Sequence, residues 1–413
     1  MMTQKALLPR IRFREFENIW ELDILTSLAQ KVWIGLVTTM TTNYVDEGGV
    51  PLIRNSDITG RGILESRLIR LSEEFAGKHS GRAFMLNDIA TVHTGDVGTS
   101  DVIPETLDGA IGFATLNTRW HENEFDPYFI KYFFNTRKFR NLAIRYSTGD
   151  GRQNLNLKDF VKFHVPRTSL PEQQKIADFL SAVDKKIHLL QRKKELLEQY
   201  KKGVMQKIFS QEIRFKDENG DDYPDWEATT LGSLGKFYRG HTYSSNNVAD
   251  SGLLVLRSSN IQEGQLVLSR DLRYVDNQCS NKINLQKDDI VLCMSNGSKR
   301  LVGKSGLYSG DYNGAITVGA FCSIYRSTSK IVKHVLKSLQ YKRYLHVLLA
   351  GTNINNLKNS DMDNLTFLLP TDETETRQIS YFLDVIEGKI LQCRNNIESF
   401  SKFKKGLLQQ MFV

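Results

Sequence analysis

The feature that most constrains this chain is that it is written twice. Ile11-Arg12-Phe13, followed by Trp20, recurs as Ile213-Arg214-Phe215, followed by Trp226. The segment from Leu52 through Arg54, Asn55 and Asp57 to Ile58 recurs from Val255 through Arg257, Ser258 and Asn260 to Ile261. Leu86 to Ile89 recurs as Lys287 to Ile290, and Asn154-Leu155 as Asn356-Leu357. Ile176, Phe179 and Leu180 return as Ile379, Phe382 and Leu383, and Lys202-Gly203 with Phe209 as Lys405-Gly406 with Phe412. The offset stays close to 202 residues throughout. A single match would be chance; an ordered series at one offset is a duplication. Its period is far longer than a solenoid repeat, so each copy is a domain-sized unit. In a chain of 413 residues, each half is long enough to bury its own core.

Each copy has two parts. The first, roughly residues 11–168 and 213–371, mixes short alternating apolar runs with Gly, Asn, Asp and Ser turns, which predicts a mostly β domain. One helix is expected near its end. Asp126-Pro127 supplies a cap and first turn, and an apolar stripe of Phe129, Tyr132, Phe133, Phe139, Leu142 and Tyr146 follows. Gly149 stands where a C-terminal cap belongs. The second copy places Val332, Val335, Leu336, Leu339, Leu345 and Leu348 on the matching helix, with Gly351 at the cap.

The second part is a long helix. Apolar residues recur every seventh position at Ile176, Val183, Leu190, Leu197 and Val204, and again at Ile379, Ile386, Cys393, Phe400 and Leu407. A heptad pattern sustained this long in both copies predicts a coiled coil. The alternative is two amphipathic helices lying on separate cores; the very polar outer faces, with Lys185, Lys186, Arg192 and Lys193, favour a pair. The link from Phe209 to Trp226 is short and polar, so the chain can turn back and the helices run antiparallel. The expected fold class is α+β: two mostly-β domains, each followed by a long helix, the two helices pairing as an antiparallel coiled coil with pseudo-two-fold symmetry. The expected boundaries are 1–170, 171–209, 210–371 and 372–413.

Known chemistries find no residues to carry them. The four cysteines, Cys279, Cys293, Cys322 and Cys393, form no CxxC pair and the first half has none, so neither a disulfide framework nor a zinc site is expected, and a reducing cytoplasm fits. The eight histidines form no ligand-spaced cluster, so no metal is expected. Met1 to Phe16 lacks the apolar core of a signal peptide, and the run Lys31 to Met40 is too short to span a bilayer. An adenine methyltransferase needs an Asn/Asp-Pro-Pro-aromatic motif, and the chain has no Pro-Pro pair. The segment from Gly297 to Gly303-Lys304-Ser305 approaches a phosphate-binding loop but has one residue too many, and Gly306-Leu307-Tyr308-Ser309-Gly310 follows instead of a helix. The net charge of +8 and pI near 9.1 suit a polyanionic partner, although many basic proteins bind no nucleic acid.

Pro166, then Leu170-Pro171-Glu172-Gln173-Gln174-Lys175-Ile176-Ala177 with Phe179-Leu180, Asp184 and Ile187, resembles the conserved region of type I restriction–modification specificity subunits. Arg12-Phe13 with Trp20, and its echo Arg214-Phe215 with Trp226, are similar to the starts of that family's domains. The second copy departs from the pattern: Thr374 stands at the family's Pro position and Thr376 at its first Gln, which bears on whether the two helix starts pack alike. The resemblance implies a non-catalytic chain whose two mixed domains are target-recognition domains, each reading half of a bipartite, asymmetric site in double-stranded DNA. It implies helices that set the spacer and dock two methyltransferase subunits, which recruit restriction (motor–nuclease) subunits. S-adenosylmethionine, ATP and Mg would then be used by those partners, with no cofactor bound by this chain and no membrane involved. The residues alone leave open a two-domain coiled-coil scaffold for protein partners, without DNA readout.

Major-groove readout needs Arg, Lys, Asn, Gln or acidic side chains presented from turns or helix starts. Three repeated segments offer them. The first is Arg54, Asn55 and Asp57 with Arg257, Ser258 and Asn260, where the competing reading is a capped turn with structural ion pairs. The second is His93 and Thr94 with Asn296, Ser298, Lys299 and Arg300, which differ between copies as sequence-reading loops should; ordinary surface turns are the alternative. The third is Arg152 and Gln153 with Asn353 and Asn355, where Asn side chains can also satisfy loop backbone. Lys299 and Arg300 are the expected phosphate contacts.

Overall fold

Both copies of the repeat build the same strand plan. We describe a computed structural model covering residues 8–149, 151–276, 279–350 and 355–413. Gly351 and Asn353 therefore lie outside the described residues. The chain forms two compact units, one reaching Lys193 and including Cys393–Val413, the other spanning Lys194–Gln392.

In the first unit, strands Ala29–Ile34, Thr115–Trp120, Ile89–Val92 and Ser100–Val102 form an antiparallel sheet in that order. A second sheet runs Tyr44–Val45, Ile69–Leu71, Val50–Arg54 and Ile111–Phe113, its last pair parallel. Glu21–Ile24 pairs with His164–Arg167, tying the entry of the domain to its exit. The second unit repeats each sheet. Gly235–Arg239, Cys322–Ser327, Ile290–Cys293 and Ser305–Leu307 take the first order, extended by Gln265–Leu266 and Ile261–Gln262. Val248–Ala249, Tyr274–Val275, Leu253–Leu256 and Ile316–Val318 take the second, again with a parallel last pair, and Glu227–Thr230 pairs with Thr366–Leu369. Ile89–Val92 and Ile290–Cys293 are buried along their whole length, as continuous apolar runs in a covered sheet should be. The two sheets of each unit meet at a glycine. A Cβ on Gly35 would lie 2.3 Å from the Gly112 carbonyl oxygen, and one on Gly240 2.2 Å from that of Gly319, so no side chain fits either place.

The expected helix after the sheets is two helices. Asp126 Oδ1 accepts from the Phe129 amide at 2.9 Å, with Pro127 in the first turn, as its sequence predicts. The helix Pro127–Phe134 then stops, because Thr136 opens a new one, Arg137–Arg145, by accepting from the Phe139 amide at 3.2 Å. Ser338 plays the same part in the second unit, accepting from the Tyr341 amide between Val332–Val335 and Leu339–Ala350. Phe129, Tyr132, Phe133 and Phe139 are buried, but Tyr146 is exposed. Gly149 is not the cap. Its positive φ of 127° serves a turn in which Thr148 and Asn154 exchange backbone hydrogen bonds at 3.0 Å.

The long helices run Leu170–Phe209 and Glu373–Gln410. In the first unit, Ile176, Leu180, Val183 and Ile187 share a core with Leu407, Met411, Phe412, Trp20 and Phe129. In the second, Met205 and Ile208 share one with Ile379, Leu383 and Trp226. In each unit one helix start lies against the other helix's end, which is antiparallel pairing. Ile176, Val183, Leu190, Ile379, Ile386, Cys393 and Leu407 are buried, and Leu197, Val204 and Phe400 half-buried. Lys404 Nζ donates to Asp184 at 2.6 and 2.7 Å in the first unit, and Lys201 pairs with Glu387 at 3.1 Å in the second. These are one ion pair written twice, since Asp184 and Glu387, like Lys201 and Lys404, are 203 positions apart.

A buried carboxylate locks each helix start to its domain entry. Glu172 accepts from Arg12 Nε at 2.6 Å, Arg12 Nη2 at 2.8 Å and the Trp20 indole N–H at 3.1 Å. Glu375 accepts from Arg214 Nε at 3.2 Å, Arg214 Nη2 at 2.9 Å and the Trp226 indole at 3.0 Å. Phe13 meets Phe179 edge-on at 5.9 Å, and Phe215 meets Phe382 at 5.8 Å. The departures at Thr374 and Thr376 therefore leave this lock intact. They change its surroundings: Gln173 donates to the carbonyls of Glu124 and Thr168, whereas Thr376 donates back to the Asp372 carbonyl of its own helix start. Among the described residues, no helix is long and apolar enough to cross a membrane.

Candidate nucleic-acid interface

The repeated segments singled out in sequence come together in each unit. In the first, Asn55 Oδ1 accepts from the His93 amide at 2.7 Å, which joins the first segment to the second. Thr94 Oγ1 lies 3.4 Å from Asn154 Oδ1, and the Gly95 amide donates to the Gln153 carbonyl at 3.0 Å, which joins the second to the third. In the second unit, Asn296 Nδ2 donates to Ser258 Oγ at 3.0 Å, and Asn355 Nδ2 donates to the Gly297 carbonyl at 3.0 Å. Segments far apart in sequence meet because strand ends of the two sheets, Val50–Arg54 and Ile89–Val92 in the first unit and Leu253–Leu256 and Ile290–Cys293 in the second, come together.

A further segment joins them that sequence reading missed. It is the turn entering the strands Thr115–Trp120 and Cys322–Ser327. In the first unit the Ala114 carbonyl accepts from Asn55 Nδ2 at 3.0 Å. In the second the Phe321 carbonyl accepts from the Met294 and Ser295 amides at 2.9 and 3.1 Å. The Phe321 side chain is 71% exposed. The turn lies between Ile316–Val318 and Cys322–Ser327, strands of two different sheets, so it is fixed by nonlocal pairing.

The individual side chains separate into those held by the scaffold and those left at the surface. Asp57 is buried; Arg54 donates to it through Nε at 2.9 Å and Nη2 at 3.0 Å, and the Arg54 amide donates to it at 3.0 Å. That contact raises the Arg54 pKa above its ordinary value. Asn260 is likewise buried, accepting from the Arg257 amide at 2.9 Å, while Arg257 pairs with Asp271. These four side chains fix their turns, so the capped-turn reading describes their geometry. Lys299 donates to the Leu349 carbonyl at 3.2 Å near the end of its helix, a structural contact. Arg300, Arg152, Gln153 and Ser298 are exposed, and no side-chain partner of Arg300 or Arg152 occurs among the described residues. Asn55, His93, Thr94, Ser258, Asn296 and Asn355 are half-buried, with part of each side chain engaged and part facing out.

Charge is arranged to suit reading more than gripping. Burial lowers the His93 pKa below its usual 6.5, and its Nδ1 lies 2.8 Å from Thr94 Oγ1. With Nδ1 engaged by Thr94, the imidazole has Nε2 as its one remaining ring nitrogen. The segment that approaches a phosphate-binding loop continues into the strand Ser305–Leu307, and Lys304 donates to the Ile261 carbonyl at 2.9 Å. Neither feature cradles a phosphate.

Away from these edges, His334 Nε2 lies 3.0 Å from Asp384 Oδ1, with Glu387 beside it. Ligand atoms of the three lie within 4.8 Å of one another, but Lys333, Lys337 and Lys201 already pair with the two carboxylates. The cluster is a charge-balanced network joining the domain to both long helices, and a cation would have to displace ammonium groups to enter it.

Residues 36–199 match the family described as type I restriction modification DNA specificity domain. The chain is 28% identical over 197 residues to the StySPI specificity subunit of Salmonella potsdam, covering 46% of this chain and 42% of that subunit. The match thus spans about two fifths of that relative's length. It is 27% identical over 301 residues to the MjaVIII specificity subunit of Methanocaldococcus jannaschii, covering 68% and 69% of the two chains. The S subunit of the type I restriction–modification system of M. genitalium shares the fold, with a TM-score of 0.64 at 16% identity over 98% of this chain and 99% of that one. Residues 36–199 thus resemble the type I restriction modification DNA specificity domain, and the chain shares the fold of a type I restriction–modification S subunit.

Proposed function

We propose that this chain is the DNA sequence-specificity subunit of a type I restriction–modification complex. It is a non-catalytic reader that acts in the cytoplasm on a bipartite, asymmetric site in duplex DNA. In this reading, residues 1–170 and 210–371 are the two target-recognition domains. The helices at 171–209 and 372–413 set the spacer and dock two methyltransferase subunits, which recruit the restriction subunits. S-adenosylmethionine, ATP and Mg are used by those partners.

One observation carries the reading. Both units bring the same segments together, yet present different side chains there: Asn55, His93, Thr94 and Gln153 in one, Ser258, Asn296, Ser298 and Asn355 in the other. A shared scaffold with divergent edges is what reading two different half-sites requires. The test is methylome sequencing of cells with and without this chain. Loss of one bipartite adenine-methylation motif supports the proposal. An unchanged methylome, with the partner subunits expressed, refutes it and leaves the protein-scaffold reading.

A further inference from the structure

The turn carrying Phe321 has a side chain that the core does not use. Burying a Phe side chain stabilises a fold, and this one is left 71% exposed. Single exposed apolar residues are common, so exposure alone decides nothing. Position does. The Phe321 carbonyl holds the amides of Met294 and Ser295, and the Cys322 amide donates back to the Gly319 carbonyl at 2.8 Å, so the ring stands on a fixed base. That base adjoins the loop where Asn296 reaches Ser258 and Asn355 reaches Gly297. The equivalent turn of the first unit carries Ala114, whose carbonyl is tied to Asn55 in the same neighbourhood. The scaffold thus needs no aromatic ring here, and the two units differ in this side chain as they do in their polar ones.

Resting on the specificity reading above, we propose that Phe321 reads the 5-methyl group of a thymine in the half-site met by the second target-recognition domain. The major groove offers donors and acceptors on every base, and one apolar feature, the thymine methyl. Asn296, Ser258 and Asn355 supply hydrogen-bonding chemistry for the former; Phe321 supplies a large exposed apolar surface beside them. An apolar wedge driven between base steps belongs to minor-groove binders, which flank it with chains reaching into a narrow groove. Here the nearest polar side chains are two amides and a hydroxyl, Lys299 is held at the Leu349 carbonyl, and the exposed Arg300 is left to meet a phosphate.

The test uses the full-length chain purified with the subunits it assembles with, and selection of bound sequences from randomised duplex DNA. Wild type should select a bipartite motif with a thymine in one half-site. Deoxyuridine at that position should weaken binding about four-fold, the factor for losing one buried methyl group. Phe321→Ala, with its circular dichroism unchanged, should lose that one preference, bind thymine and deoxyuridine alike, and keep every other position of both half-sites. A variant with the wild-type motif and deoxyuridine ratio overturns the proposal, as does one that blurs several positions in both half-sites. A wild-type assembly that selects no sequence at all overturns the specificity reading itself, a failure distinct from an unaltered motif in the variant.

Discussion

Removing the buried carboxylate at a helix start should cost more than any surface change, and the two copies give an internal comparison. In Glu172→Leu, the Arg12 guanidinium loses both of its hydrogen bonds to the carboxylate and the Trp20 indole loses its acceptor. Breaking a buried ion pair from one side costs about 3–5 kcal/mol, because the remaining charge stays desolvated. For a unit of this size, that lowers the melting temperature by about 6–20 °C. Glu375→Leu should cost less, for two reasons. Its contacts with Arg214 are longer at Nε, 3.2 against 2.6 Å, and the Arg214 side chain is 18% exposed against 12% for Arg12, so water can compensate more. Differential scanning calorimetry of the full chain measures both, with urea unfolding followed by tryptophan fluorescence as the second readout. Adding Arg12→Met to Glu172→Leu removes the orphaned charge and should recover most of the loss, since apolar replacements of buried pairs are often neutral. A loss below about 1 kcal/mol for Glu172→Leu, or no recovery in the double variant, would refute the claim that this carboxylate locks the domain to its helix.

Two further outcomes follow from the charges. Burial alone would raise the pKa of Asp384 and Glu387, but hydrogen bonds from His334 and Lys333 onto the first, and the charges of Lys337 and Lys201 beside the second, hold each at about 2. Unfolded carboxylates titrate near 4, so the stability these groups contribute is full above that pH and is lost as pH falls toward 2. Burial also depresses His334, whose contribution is full above its unfolded value of about 6.5 and is lost as pH falls through its lower folded value. Unfolding midpoints measured from pH 7 to 2 should therefore fall less steeply below pH 4 in Asp384→Asn with Glu387→Gln; equal slopes would sink this account. Arg300 is exposed and without a partner among the described residues, so Arg300→Ala should lower the salt slope of DNA binding by roughly one unit if it meets a phosphate. An unchanged slope and affinity would remove it from the interface.

What was legible in the sequence is what repeats or what is local. The duplication, the heptad stripes and the Asp126 cap could be read because each is fixed by spacing along one segment. The break between Phe134 and Arg137 was not, because the apolar stripe runs on through Thr136, and only its side chain turning back on the Phe139 amide ends one helix and opens the next. The contact of Lys299 with the Leu349 carbonyl was not legible either, because its partner lies 50 positions away. Glu172 and Glu375 sit at equal places in both copies, 160 and 161 positions after the Arg that marks each domain start. That coincidence of a lone acid with a repeated base and indole was a usable signal for a buried lock. Phe321 gave none, since a turn inside an apolar run is revealed only by the strands on either side.

The ion pair written twice has a consequence for heredity. Asp184 and Lys201 lie on the first long helix in the same order as Glu387 and Lys404 on the second, and each acid meets the base of the other helix. Every half of the chain thus brings one acid and one base to a shared seam. An exchange of either half for one carrying the same acid and base at these two places restores both bridges without any compensating change. The seam acts as a common coupling, so a single crossover between the two halves can exchange a whole unit where point mutation would have to rebuild it residue by residue.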